Sequence, residues 1–256
     1  MVLPRAAAFQ ELFIVRHGQA THNPRAEAAK QAGCSFEEFL EWMRLDDSHD
    51  SPLTELGREQ GANVGNQCQH LLSGVEMVIS SPLSRCLDTA NLVAPPTKLT
   101  SAKRVVYENF REINGKLLNA KRRKKSELEK LYPEWSFDDL QSNHDDSWVA
   151  TELESVESCQ QRGLTGFHWL TTLPVQSLLL VCHGGILHYT LAHDSIVLHD
   201  KRQYSATDRK VDARFENCEL RRYHLSRSKE ENKLMLAEVD LVSVKDEEQL
   251  VAQSRI

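Results

Sequence analysis

Two arginines and two histidines stand just beyond short apolar runs, and together their side chains could hold and attack a phosphate group. Leu12-Phe13-Ile14-Val15 leads into Arg16-His17-Gly18. Val75-Glu76-Met77-Val78-Ile79 leads into Ser80-Ser81-Pro82-Leu83-Ser84-Arg85, and Leu178-Leu179-Leu180-Val181 leads into Cys182-His183-Gly184-Gly185. A guanidinium presents a planar fork of donors that matches phosphate oxygens and stays charged at any working pH. A neutral imidazole nitrogen is a competent nucleophile near neutral pH and can carry a phosphoryl group covalently. Gly18, Gly184 and Gly185 would let backbone amides approach an anion, and a helix starting near Ser84 would aim its N-terminus inward.

Displacement at phosphorus also needs a proton for the leaving oxygen and a base for the incoming water. A carboxyl group could serve both steps. Glu112, in Phe110-Arg111-Glu112-Ile113-Asn114-Gly115, is the first candidate because it lies in a short polar turn after the run Val105 to Tyr107. Glu108 is the alternative. Two other chemistries fit less well. His17 and His22 are five residues apart, as are His183 and His188, whereas helical zinc motifs place ligands four apart and are accompanied by carboxylates. No G-x-S-x-G elbow occurs, so a serine hydrolase of that type is not indicated. The set predicts a phosphate pocket with no metal and no cofactor.

Such a pocket has to be assembled by the elements around it. Runs of four or five residues that are apolar almost throughout suit strands buried on both faces, as in a parallel sheet. In an open sheet of this kind ligands bind beyond the carboxyl ends of the strands, where all three clusters lie. Helical patterns fill the intervals. Ser35-Phe36-Glu37-Glu38 has the form of a capping box, followed by Phe36, Phe39, Leu40 and Met43 on one face. Thr54 caps a helix predicted to run to about residue 72. Ser126 to Glu129 reads as another capping box, closing near Pro133, and the helix after Ser155 ends near Pro174. The alternation predicts an α/β fold with a mostly parallel central sheet. Glu219 to Leu225 and Leu234 to Val244 read as late strands, with 234–244 expected at the sheet edge, and 245–256 reads as a flexible tail.

The totals narrow the partners. The 256-residue chain is 40% hydrophobic and 27% charged, and its 31 basic and 37 acidic residues leave a net charge of −6. That balance argues against broad nucleic-acid affinity. No apolar stretch approaches the roughly 18–20 residues of a membrane span, and the six cysteines form no C-x-x-C pair. A small phosphorylated molecule is the expected partner, with no nucleic acid and no membrane, and a cytoplasmic location is expected. The run Lys121-Arg122-Arg123-Lys124-Lys125 could attract a polyanion. The reading preferred here is a solvated helix start that pairs with Glu127, Glu129 and Glu134.

In order along the chain, Arg16-His17-Gly18 with Asn23 following, Ser51-Pro52-Leu53-Thr54-Glu55-Leu56-Gly57, Ser80 to Arg85 and His183-Gly184 resemble the landmarks of the histidine phosphatase superfamily. Glu154-Ser155 is a weaker match. The stretch from Arg111-Glu112 through Lys121-Arg122-Arg123, with Phe215 to Arg221, is similar to a phosphoglycerate mutase-like branch of that superfamily. The resemblance implies a three-layer α/β/α sandwich over residues 9–227, followed by an extension over 228–256. It also implies a phosphohistidine on His17, with Arg16, Arg85 and His183 on the phosphoryl oxygens, Asn23 and Gly184 lining the pocket, and Glu112 moving the proton. Ala20 stands where many mutases have serine, and Glu112 precedes Gly115 by three residues where mutases space the pair by four. Residues 24–50 lengthen the connection after Asn23, either as a cap on the pocket or as a helix packed on the sheet. Because residues 105–150 do not read as the familiar mutase segment, a phosphomonoesterase is expected. A phosphoglycerate-type phosphomutase and a non-catalytic phospho-ligand binding module are the alternatives.

Overall fold

The apolar runs become strands because both of their faces are covered. In the computed structural model, which describes residues 9–45, 48–199, 214–228 and 233–241, they are β1 (Gln10–Arg16), β2 (Met77–Ser80) and, after β3 (Lys103–Val106), β4 (Ser177–Cys182). β5 (Ile196–His199), β6 (Leu220–Arg227) and β7 (Leu234–Val239) complete a seven-stranded sheet of order β3-β2-β4-β1-β6-β7-β5. Every strand but β6 runs in the direction of β1. β7 lies between β6 and β5 and not at the edge expected for it, because β5 pairs onto it in parallel. The expected tail, 245–256, lies outside the described residues.

Alternation along the strands sorts side chains into two cores. Leu12, Ile14, Leu178 and Leu180 pack on one face with Cys159, Leu164 and Phe167 of α7 (Val156–Leu170) and Ile186 and Leu187 of α8 (Gly184–Leu191). Phe13, Val15, Leu179 and Val181 pack on the other face. Their partners there include Leu87 and Ala90 of α5 (Ser84–Val93) and Leu128 of α6 (Lys125–Leu131). Each fully buried leucine or phenylalanine contributes about 1.5–3 kcal/mol. The result is the expected three-layer α/β/α sandwich with a mostly parallel sheet.

Between β1 and β2 lie α1 (Asn23–Gln31), α2 (Phe36–Leu45), α3 (Glu55–Gln67) and the single turn α4 (Gln69–Leu72). The Ser35 box forms as read, with Ser35 N–H donating to Glu38 Oε2 at 2.8 Å and Glu38 N–H donating to Ser35 Oγ at 3.2 Å. Thr54 caps α3 by accepting from Gly57 N–H at 3.0 Å. The Ser126 box does not form. α6 begins at Lys125 with Lys124 at its N-cap position and no side-chain cap, and Ser126 N–H donates to Asn143 Oδ1 at 3.0 Å. Among the described residues no helix is long and apolar enough to cross a membrane.

The basic run is not the solvated helix start preferred above. Arg122 is buried, and its guanidinium donates to the carbonyls of Ser142, at 2.9 Å, and His144, at 2.7 Å. Arg123 Nε lies 3.2 Å from a carboxylate oxygen of the buried Asp50. Lys121 Nζ sits 4.4 Å from the centre of the Trp148 ring. The Arg122 and Lys121 contacts close 114–148 on itself, while Arg123–Asp50 and the bonds from Arg111 to both oxygens of Asp145, at 2.8 Å, fasten the segment to the rest of the domain.

Gly18 and Gly57 explain why two landmarks so far apart in sequence occur together. A Cβ on Gly18 would strike the Gly57 carbonyl, and one on Gly57 would strike the Gln19 carbonyl. Thr54 N–H also donates to the Gln19 carbonyl at 2.9 Å. Gly57→Ala should therefore destabilise the domain by about 1–3 kcal/mol, as overpacking against backbone does. Urea unfolding of the variant beside the wild type measures this.

Candidate active site

Register brings the clusters together. Arg16 of β1 pairs with Cys182 of β4, and Ser80 of β2 pairs with Val181. His17, Ser81 and His183 therefore leave three adjacent strands at nearly one level. His17 N–H donates to the Cys182 carbonyl at 2.9 Å, and Ser81 N–H donates to the Val181 carbonyl at 3.1 Å. The His17 and His183 rings meet edge to face, with centres 5.0 Å apart.

His17 is held in one tautomer. Its Nδ1 is 2.7 Å from the Gly18 carbonyl oxygen. A carbonyl only accepts, so Nδ1 carries the proton and Nε2 keeps its lone pair. Burial, then the charges of Arg85 and Arg16, hold the His17 pKa well below its ordinary value. The ring is thus neutral and nucleophilic at neutral pH.

Arg16 is oriented from two sides. Its Nη1 donates to the Phe215 carbonyl at 2.8 Å, and its Nη2 donates to Glu27 Oε1 of α1 at 2.5 Å. Arg85, fully buried in the first turn of α5, donates from Nη1 to the Asn119 carbonyl at 2.7 Å. The Nε of each guanidinium is buried without a partner. Buried donors are ordinarily satisfied, so the pair marks a place where an anion would be bound. His183 Nε2 lies 2.7 Å from Ser81 Oγ and 3.3 Å from the Cys86 thiol. Burial, then Arg85 and His17, lower its pKa well below the ordinary value.

The two candidate acids part company. Glu112 faces the start of α8, where its oxygens accept from Gly185 N–H at 3.1 Å and Ile186 N–H at 3.0 Å. A Cβ on Gly185 would strike that carboxylate, and one on Gly184 would come within 3.2 Å of Arg16 Nε. A side chain at Gly185 would thus displace the Glu112 carboxylate, and one at Gly184 would press on Arg16. Glu108 instead bonds Arg111 Nη1 at 2.5 Å and lies 3.3 Å from Arg122 Nε. Asn23 folds back on its own loop, accepting from Ala20 N–H at 2.9 Å.

Several residues around the site carried no signal that was used in the sequence. Asp50, in a left-handed conformation with φ 50°, accepts from Ser84 N–H at 2.9 Å and from the Ser84 hydroxyl. It thereby seats the helix turn that carries Arg85, and burial raises its own pKa. Ser81 and Glu27 orient His183 and Arg16. His22, set aside on spacing, is buried beside His17 with ring centres 6.3 Å apart. Among the described residues no group of three His, Cys, Asp or Glu side chains could hold a metal ion.

Three buried histidines with lowered pKa values give stability a definite pH dependence. For His17, His22 and His183 the first cause is burial, and Arg85 follows it in each case. Below the unfolded-state value of about 6.5 the unfolded chain binds protons that the folded chain does not. Stability is therefore fully present above about pH 6.5 and is lost as pH falls toward the folded values, by up to about 1.4 kcal/mol per pH unit for each proton. Urea titrations at about pH 7.5 and about pH 5.5 should show this loss.

The profile of the histidine phosphatase superfamily (branch 1) matches residues 12–204. Phosphoglycerate mutase-like protein 1 of Arabidopsis thaliana is 28% identical over 240 residues, covering 82% of this chain and 79% of its own. A second Arabidopsis thaliana phosphoglycerate mutase-like protein is 27% identical, covering 82% of each. Among solved structures, a mycobacterial glucosyl-3-phosphoglycerate phosphatase superposes with a TM-score of 0.51 at 17% identity, over 90% of this chain and 97% of its own. An ecdysone phosphate phosphatase from Bombix mori gives 0.50 at 17% identity, over 90% and 92%. These last two similarities concern the fold alone. On the matched residues, the chain belongs to the histidine phosphatase superfamily.

Proposed function

We propose that this protein hydrolyses a phosphomonoester by way of a phosphohistidine on His17. The observation that carries the reading is the His17 ring, fixed with Nε2 unprotonated, beside two buried guanidinium nitrogens that have no partner. In the first step the Nε2–P bond forms and the ester P–O bond breaks, and the leaving oxygen takes a proton from the Glu112 carboxyl group. In the second, a water oxygen attacks phosphorus, the Nε2–P bond breaks, and the water's proton passes to Glu112 carboxylate. Arg16, Arg85 and His183 hold the non-bridging oxygens, where charge stabilisation counts most. Gly184 lets α8 approach Arg16, and Asn23 shapes the loop beyond Gly18.

A second reading has support of its own. The Arabidopsis relatives are named phosphoglycerate mutase-like, which favours return of the phosphoryl group to a bound organic acid in place of water. Incubating the purified protein with a panel of phosphorylated metabolites separates the two. Release of inorganic phosphate supports hydrolysis, and isomerisation of a phosphoglycerate without release supports the mutase. Glu112→Gln should slow alkyl phosphates by about 10²–10⁴-fold while sparing p-nitrophenyl phosphate, whose leaving group needs little protonation. Equal losses on both would remove Glu112 from the acid role.

A further inference from the structure

Of the pocket nitrogens that are buried without a partner, the mechanism uses two, Arg16 Nε and Arg85 Nε, and leaves a third, His22 Nδ1. We propose that His22 is a further binding residue, donating its Nδ1–H to an oxygen of the phosphoryl group carried on His17. The inference rests on the reading that this pocket takes a phosphoryl group.

His22 has the placement of a pocket ligand. It is 2% exposed and stands where the loop after His17 turns into α1. Its ring centre is 6.3 Å from that of His17, with the planes at 48°, and among the described residues no hydrogen bond joins the two rings. Arg85 and Arg16 lie near enough to oppose its charge, as they do for His17. His22 therefore shares the electrostatic surroundings of the nucleophile. Buried ring nitrogens are ordinarily hydrogen-bonded, so a partner for this one is expected from a ligand.

The chemistry of the ligand fixes the proton. Phosphoryl oxygens only accept, and a neutral imidazole has one donor nitrogen. A bond from Nδ1 thus requires the Nδ1–H tautomer. His22 also stands at the N-cap of α1, whose Glu27 holds Arg16.

The test uses side chains that imitate one ring nitrogen at a time. Asparagine places an amide near the position of Nδ1, glutamine places one near Nε2, and leucine fills the volume without a donor. Binding of inorganic phosphate and of orthovanadate is measured by calorimetry and by competition against p-nitrophenyl phosphate hydrolysis. His22→Leu should weaken both anions at least about tenfold, the scale of one hydrogen bond to a charged group. His22→Asn should bind within about threefold of wild type, and His22→Gln should resemble the leucine variant. If His22→Leu does not fold, stronger binding by the asparagine than by the glutamine variant supports the proposal, and equal binding overturns it. Unchanged affinity in His22→Leu, or equal weakening in the leucine and asparagine variants, also overturns it. A wild-type protein that binds neither anion would instead overturn the proposed function, and this inference with it.

Discussion

His17→Ala is expected to lower kcat/KM for any accepted phosphomonoester by at least about 10³-fold, because the proposed mechanism passes through a covalent intermediate on this ring. The same variant should lose less stability than wild type as the pH falls. His17 is buried, and its pKa is held down first by that burial and then by Arg85 and Arg16. Removing it deletes one site that protonates only on unfolding, so the slope of stability against pH should become shallower below about pH 6.5. Loss of activity together with a shallower pH dependence of stability separates removal of a nucleophile from general damage to the fold. A variant that lost activity and stability together at every pH would point to damage. Steady-state kinetics and urea unfolding at two pH values provide the comparison.

Arg85→Met should show a similar division between rate and stability. Arg85 is fully buried, and burial lowers its pKa from the ordinary value. Its Nε has no partner, although its Nη1 donates to the Asn119 carbonyl. Burial is the first cause of the lowered pKa and outweighs the opposing charges of Asp50 and Glu112, so an apolar side chain of similar volume removes a desolvation cost in exchange for the bond to the Asn119 carbonyl. For catalysis the opposite holds, since a donor aimed at developing phosphoryl charge is worth about 10²–10³-fold. The variant should therefore melt at or above the wild-type temperature while kcat/KM falls by about 10²–10³-fold. A melting temperature well below that of wild type would mean that Arg85 holds the fold together through Asn119 and Asp50.

The sequence was most informative where one element faces the same surroundings along its whole length. Leu12 to Val15 and Leu178 to Val181 are covered on both faces, so their apolar character revealed strands, and the polar cluster after each strand marked the candidate site. Gly18 and Gly57 were visible as landmarks, but the reason for them is a mutual backbone approach between segments nearly forty residues apart. What stayed hidden depends on tertiary partners. Arg122 is neutralised by the Glu108 carboxylate and the carbonyls of Ser142 and His144, and carbonyls carry no sequence signature. The Ser126 box lost to Asn143, which supplies the acceptor from another loop. The position of β7 depends on pairing with β5, a choice that local periodicity does not encode. His22 was considered only as a metal ligand, because its spacing from His17 was read without the burial that makes its nitrogen conspicuous. The sequence placed Glu112 ahead of Glu108 only by its position in a polar turn, and their different partners, the α8 amides and Arg111, are features of the fold.

The central claim is that His17 carries the phosphoryl group, and rapid-quench trapping tests it most directly. The protein is mixed with a substrate found by phosphate release, quenched within milliseconds in alkali to preserve phosphohistidine, digested and read by mass spectrometry. The account predicts an acid-labile mass increase of one phosphoryl group on the peptide containing His17, forming and decaying at rates that support turnover and missing in His17→Ala. Turnover with no adduct at His17, and an alanine variant as active as wild type, would contradict it.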